Sequence, residues 1–66
     1  MIPPWQKHPE IPFGSIGWRM GNGEDYWVAF HEWFKRKSAD HKLRYAQENP
    51  EPAGWEGFYR RQGVTL

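Results

Sequence analysis

The fold is decided by residues 23–37, GEDYWVAFHEWFKRK. At about 100° per residue, the five large aromatic side chains of this stretch fall within an arc of about 120° on one helical face. These are Tyr26, Trp27, Phe30, Trp33 and Phe34. Acidic residues begin the stretch and basic residues end it, which is the distribution of charge that a helix dipole favours. The pattern predicts an α-helix over residues 24–37 whose aromatic face is turned toward a core.

Two further helical segments are expected after this helix. Ser38 is a good N-cap, and it predicts a second helix over residues 39–48. Pro50 ends that helix, because the residue before a proline avoids helical geometry. Aromatic residues spaced i, i+3, i+4 then predict a short helical turn over residues 53–61. Residues 62–66 are expected to form a tail.

The segment before the first helix, residues 1–23, is rich in proline and glycine. Proline favours extended geometry, which predicts an extended arm rather than a helix. Trp5, Ile11 and Phe13 are spaced through the arm, and disordered segments are poor in such residues. We therefore expect an ordered arm that packs over the aromatic core. Residues 21–23, Gly-Asn-Gly, are expected to form the turn into the helix, since these residue types tolerate positive φ angles.

Together these segments predict an all-α or mostly α fold in one small domain over residues 1–66. The arm and loop occupy residues 1–23, the helical part residues 24–61 and the tail residues 62–66. A chain of this length buries only roughly 60% of its unfolded surface, so its stability needs reinforcement. There is no cysteine to form a disulfide, and five Trp, four Phe and three Tyr supply large buried areas instead.

Charge and hydropathy narrow the choice of partners. Nine basic and eight acidic residues give a net charge of +1, which argues against duplex DNA as a partner. No apolar run approaches the roughly 20 residues that a membrane span needs. The first twelve residues lack the apolar segment of a signal peptide. We therefore expect a cytoplasmic protein, of a cell or a virus-infected cell, with no membrane partner.

No catalytic, metal-binding or cofactor-binding pattern is recognisable in the sequence. The hydroxyl-bearing candidates for a nucleophile, Ser15, Ser38 and Thr65, lack the spacing of a nucleophile elbow. The three histidines are not spaced i, i+3 or i+4, as ligands on one helix would be. The glycine-rich loop before the first helix matches neither common phosphate-binding motif. We therefore expect no enzyme activity, no metal and no cofactor.

Protein–protein recognition is the function that the composition favours. Twelve aromatic residues are more than one small core easily hides, and exposed Trp, Tyr and Arg dominate interface energies. The candidate partner contacts are Tyr45, Arg44, Trp5, Trp55, Tyr59 and Arg60. We expect a small module that occludes a partner protein, such as an inhibitor or an immunity or anti-host factor of a phage or mobile element. A homodimer is a variant of this hypothesis, since a spare aromatic face can bind its own copy.

Nucleic-acid binding is the alternative hypothesis. Basic residues lie on both sides of the corner between the two principal helices, and aromatic residues are available for base stacking. The candidate contacts are Lys35, Arg36, Lys37, Lys42 and Arg44. The sequence contains no helix-turn-helix, RRM or zinc-finger signature, and its net charge is unusually low for such a domain. This hypothesis therefore ranks below protein binding.

Overall fold

The computed structural model describes residues 1–65, which form five helices and no β-strand. In chain order these are α1, Pro4–Lys7; α2, Gly17–Met20; α3, Glu24–Lys35; α4, Ala39–Glu48; and α5, Phe58–Arg61. The mostly α prediction is confirmed, and α3 and α4 are the two principal helices. Helix α3 is two residues shorter than predicted, and α4 has the predicted bounds.

Helix α3 supplies the centre of the core. Phe30 and Phe34 are 0% and 1% exposed, and their rings stack with centroids 5.5 Å apart. Rings from the two later helices flank Phe30, since Tyr45 of α4 lies at 5.9 Å and Phe58 of α5 at 6.0 Å. The aromatic face that the helical periodicity predicts is therefore the face around which the other elements pack.

Helix α4 begins at the predicted cap. The Ser38 hydroxyl oxygen accepts a hydrogen bond from the His41 backbone N–H at 3.2 Å, which satisfies one free donor of the first turn. At the other end, the Asn49 side chain donates to the Tyr45 carbonyl at 3.1 Å. Ala46 is the buried residue of this helix and belongs to the hydrophobic core cluster.

The N-terminal arm packs on the core as predicted, but it is not extended throughout. It contains α1 and α2, each a single turn. Pro4 occupies the first position of α1, where the fixed φ of proline suits a helix as well as an extended chain. The Ser15 hydroxyl oxygen accepts from the Gly17 N–H at 3.1 Å at the start of α2. Trp18 of α2 is 2% exposed, so its burial fixes the position of this turn.

The chain turns at residues 21–23 before α3, and glycine is required there because it leaves space, not because φ is positive. Gly23 has φ of −90° and Gly21 has φ of −133°. A Cβ atom added to Gly23 would lie 2.5 Å from Cε3 of the Trp18 ring. The indole of Trp18 therefore packs directly on the backbone of this turn, which leaves no room for a side chain.

Helix α5 begins five residues later than the predicted helical turn. Gly54 and Gly57 have φ of +92° and +91°, so the chain between them turns instead of continuing as a helix. The Glu51 carboxylate accepts hydrogen bonds from the backbone N–H groups of Gly57 at 3.1 Å and Tyr59 at 2.7 Å. A side chain outside the helix therefore caps its first turn.

Part of the predicted C-terminal tail belongs to the core. Gly63 has φ of +86°, and its N–H donates to the Arg60 carbonyl at 3.1 Å. The Val64 N–H donates to the Tyr59 carbonyl at 3.0 Å, which completes a Schellman motif. Val64 is 6% exposed and packs with the aromatic cluster. Leu66, the last residue of the predicted tail, lies outside the described residues.

Replacing Phe30 with alanine is expected to reduce the free energy of unfolding by roughly 3–5 kcal/mol, because the buried ring leaves a cavity between three helices. Urea denaturation followed by circular dichroism measures this change. Val28→Ala is the control on the opposite face, since Val28 is 56% exposed, and it should change stability by less than about 0.5 kcal/mol. Equal losses of unfolding free energy in the two variants would show that the face of α3 carrying Phe30 does not form the core.

Candidate functional site

A cleft of about 380 Å³ lies between α3, α4 and residue 1. We call it the α3–α4 cleft, and it is lined by Met1, Trp33, Lys37, His41, Arg44, Tyr45 and Glu48. The four residues from α4 are spaced i, i+3, i+4 and i+7, so they share one helical face. One face of α4 therefore forms a continuous wall of the cleft.

Two aromatic side chains line the middle of the α3–α4 cleft. The rings of Trp33 and Tyr45 have centroids 5.5 Å apart and meet edge to face at 71°. Both residues are half-buried. The Nζ atom of Lys37 lies 4.2 Å from the centroid of the Trp33 ring, within range of a cation–π attraction. The middle of the cleft is therefore a prebuilt aromatic platform with a cation beside it.

Two tyrosines hold the start of the chain beside the α3–α4 cleft. The Tyr45 hydroxyl donates to the Met1 carbonyl at 2.9 Å, and the Tyr26 hydroxyl donates to the Ile2 carbonyl. Met1 and Ile2 are 45% and 48% exposed. Met1 thus adds a partly exposed apolar side chain to the rim of the cleft.

The charged side chains of the cleft have no charged partner in the described chain. Within residues 1–65, the contacts between basic and acidic side chains at or below 4.0 Å are His8–Glu10 and Glu32–Lys35. Lys37, Arg44 and Glu48 are therefore not engaged in ion pairs there. Their charges are available to a ligand at low cost.

Arg44 and Tyr45, two of the predicted partner contacts, lie together in the α3–α4 cleft. Arg60 is exposed on α5 and does not line the cleft. Neither Trp33 nor Glu48 is among the residues that the sequence singles out as partner contacts. The helical spacing from Tyr45 to Glu48 is a signal that predicts a shared face. Trp33 carries no such signal, because its position on the aromatic face of α3 indicates only burial.

Two other predicted partner contacts belong to the core and do not form a surface. Trp55 and Tyr59 are 6% and 1% exposed. The Tyr59 hydroxyl donates to the Asn49 carbonyl at 2.6 Å, so the polar end of this side chain is also enclosed. Trp5 is half-buried and packs on Trp55 with ring centroids 5.1 Å apart. The small fold uses these rings as core because it has few aliphatic residues.

The five basic residues of the alternative hypothesis differ in where the structure places them. Lys37 and Arg44 line the α3–α4 cleft, and three others lie outside it: Lys35, Arg36 and Lys42. Lys35 donates to the Glu32 carboxylate at 3.0 Å. Lys42 lines a separate cleft between α4 and the C-terminal residues. Two of the five basic side chains therefore line the same cleft as the aromatic platform.

His31 has a structural role between α3 and the C-terminal segment. Its Nδ1 donates to the Trp27 carbonyl at 2.8 Å, and its Nε2 accepts from the Gln62 side-chain amide at 2.9 Å. The donor and acceptor roles of the two ring nitrogens are assigned from these partners. Among residues 1–65, no three His, Cys, Asp or Glu side chains come together as a metal site would require.

Comparisons of this chain with models of known protein families, with curated proteins and with solved structures find no match. None of the helices in residues 1–65 has the length and apolar composition needed to cross a bilayer. The geometry and chemistry of the α3–α4 cleft are therefore the basis on which a function is inferred.

Stability is expected to fall as pH rises above about 10, because burial raises the pKa of all three tyrosines above this ordinary value. For Tyr59 and Tyr45 burial is the largest cause, and neighbouring ionisable groups add to it. A pKa that is higher in the folded state stabilises the fold below the unfolded pKa, and this contribution is lost as pH rises toward the folded value.

Phenolate absorbance and far-ultraviolet circular dichroism, followed together in an alkaline titration, test this expectation. Tyr45 and Tyr59, whose pKa values burial raises most, should ionise together with the loss of helical signal. Ionisation of these two near pH 10 with an unchanged helical signal would contradict the burial of their side chains.

Proposed function

We propose that this chain is a small non-enzymatic protein-binding module that holds a segment of a partner protein in the α3–α4 cleft. The observation that supports the proposal most is the meeting of Trp33, Tyr45 and Arg44 in one cleft. These are the residue types that contribute most binding energy at protein interfaces. A cleft of about 380 Å³ accommodates a small number of side chains rather than a large folded surface.

Preorganisation supports the same proposal. Tyr45 packs edge to face on Trp33, and its hydroxyl is tied to the Met1 carbonyl. Side chains that are already ordered lose little rotamer entropy when a partner binds, so more of the contact energy contributes to affinity. Lys37 and Arg44 add charge next to this ordered platform and favour a partner segment that carries a carboxylate.

The biological role we propose is occlusion of a partner protein in the cytoplasm. A chain of 66 residues that carries this cleft is suited to covering a site on a larger protein. An inhibitor, or an immunity or anti-host factor of a phage or mobile element, acts in this way. A homodimer formed through the cleft is a variant of the same proposal.

Binding of single-stranded nucleic acid is the second candidate function. The observation that favours it is the position of Lys37 above the Trp33 ring, with Arg44 in the same cleft, since a cation beside a stacking surface suits a nucleotide. Glu48 in the cleft opposes it, because a carboxylate repels phosphate. We therefore rank nucleic acid below a protein partner.

Arg44→Glu is expected to abolish capture of the partner, because it reverses the charge of a side chain that lines the cleft. The measurement is retention of proteins from an extract of the native source on the immobilised wild type and variant, after nuclease treatment. Arg36→Glu is the matched control, since Arg36 is exposed, lies outside the cleft and undergoes the same change of charge.

A protein that both the wild type and Arg36→Glu retain, and that Arg44→Glu loses at least about tenfold, would support the proposal. Retention of the same proteins by all three would contradict it. Loss of the bound material on nuclease treatment would favour nucleic acid instead.

A further inference from the structure

The charges of the α3–α4 cleft are arranged in order along α4. Lys37 precedes the first residue of α4, and Arg44 follows at the middle of the helix. Glu48 is its last residue. At 1.5 Å per residue, Arg44 and Glu48 are separated by about 6 Å along the helix axis. Along α4, the charged side chains of the cleft therefore change from cationic, near the corner between the helices, to anionic, at the last residue of the helix.

The position of Glu48 is not explained by the stability of α4. A carboxylate in the last turn faces the negative end of the helix dipole, and no basic residue accompanies it in that turn. Arg44 stands four residues before Glu48, the less favourable order for a pair on one helix, and the two form no ion pair in the described structure. The Glu48 carboxylate is therefore free to pair with a cationic group of a ligand.

The cleft also offers apolar surface beside these charges. Trp33 and Tyr45 form its platform, and the Met1 side chain, 45% exposed, lies on its rim. An apolar side chain of a ligand would lose its water against these three residues, which favours binding. A ligand that fits the cleft thus carries two opposite charges with an apolar group between them.

We infer that the α3–α4 cleft binds a peptide segment of defined charge order. A carboxylate of the segment faces Lys37 and Arg44, an apolar side chain packs on the aromatic platform, and a basic side chain faces Glu48. The inference rests on the proposed function and adds the chemistry of the partner. A polyanion satisfies only the cationic end and is repelled at the other, so charge order selects peptide over nucleic acid.

A library of random peptides displayed on phage, selected on the wild-type protein, tests the inference without knowledge of the partner. The decisive variant is the double exchange Arg44→Glu with Glu48→Arg, which reverses the charge order and keeps the net charge. The matched control is Glu10→Arg with Arg36→Glu, an equal exchange between exposed residues outside the cleft. Circular dichroism and thermal unfolding establish that both variants are folded.

Peptides selected on the wild type are expected to carry an acidic and a basic residue on either side of an apolar one. They should bind the reversed variant at least about tenfold more weakly and the control variant equally well. Selection on the reversed variant should return the opposite charge order. Peptides that depend on the cleft but show no charge order would overturn this inference alone. If no selected peptide depends on the cleft, both this inference and the proposed function fail.

Discussion

Burial of Phe30 between rings from later parts of the chain is the interaction on which the rest of the structure depends. Its ring is fully buried, with Tyr45 at 5.9 Å and Phe58 at 6.0 Å. Helix α5 has only four residues, too few to be stable alone, so it exists because Phe58 and Tyr59 are buried against α3. Tyr45 connects this core to the candidate site, since its ring packs on Phe30 and its hydroxyl holds Met1 at the cleft.

The polar atoms of the aromatic side chains fix the loops around this core. The Tyr59 hydroxyl donates to the Asn49 carbonyl at 2.6 Å, and the Trp18 indole N–H donates to the Pro12 carbonyl at 3.0 Å. Within residues 1–65, every buried side-chain nitrogen or oxygen has a hydrogen-bond partner. A chain without cysteine therefore joins its segments by aromatic rings that bury a large area and also bond to distant backbone. The same device positions residue 1 at the α3–α4 cleft.

Helices α3 and α4 are predictable because their signals are local: an aromatic period of 3.6 residues and the Ser38 cap. The turns α1 and α2 are not, since each is held by contacts with residues distant in sequence: Trp5 of α1 and Trp18 of α2 both pack on Trp55. The residue that caps α5 also lies outside the helix, since the Glu51 carboxylate accepts a hydrogen bond from the backbone N–H of Tyr59, eight residues later. The α3–α4 cleft is predictable only on its α4 side, where helical spacing relates Tyr45 to its neighbours. The α3 side of the cleft, formed by Trp33, is not predictable from local spacing, because it depends on the relative orientation of the two helices.

Native-state hydrogen exchange tests most directly whether the C-terminal turn is part of the central core. The Val64 amide bonds to the Tyr59 carbonyl, and amides around Phe30 lie in the middle of α3. We expect both sets to exchange with the same free energy of opening, equal to that of global unfolding. Exchange of the Val64 amide at a much lower free energy, while α3 stays protected, would show that the C-terminal turn opens independently and would contradict this account.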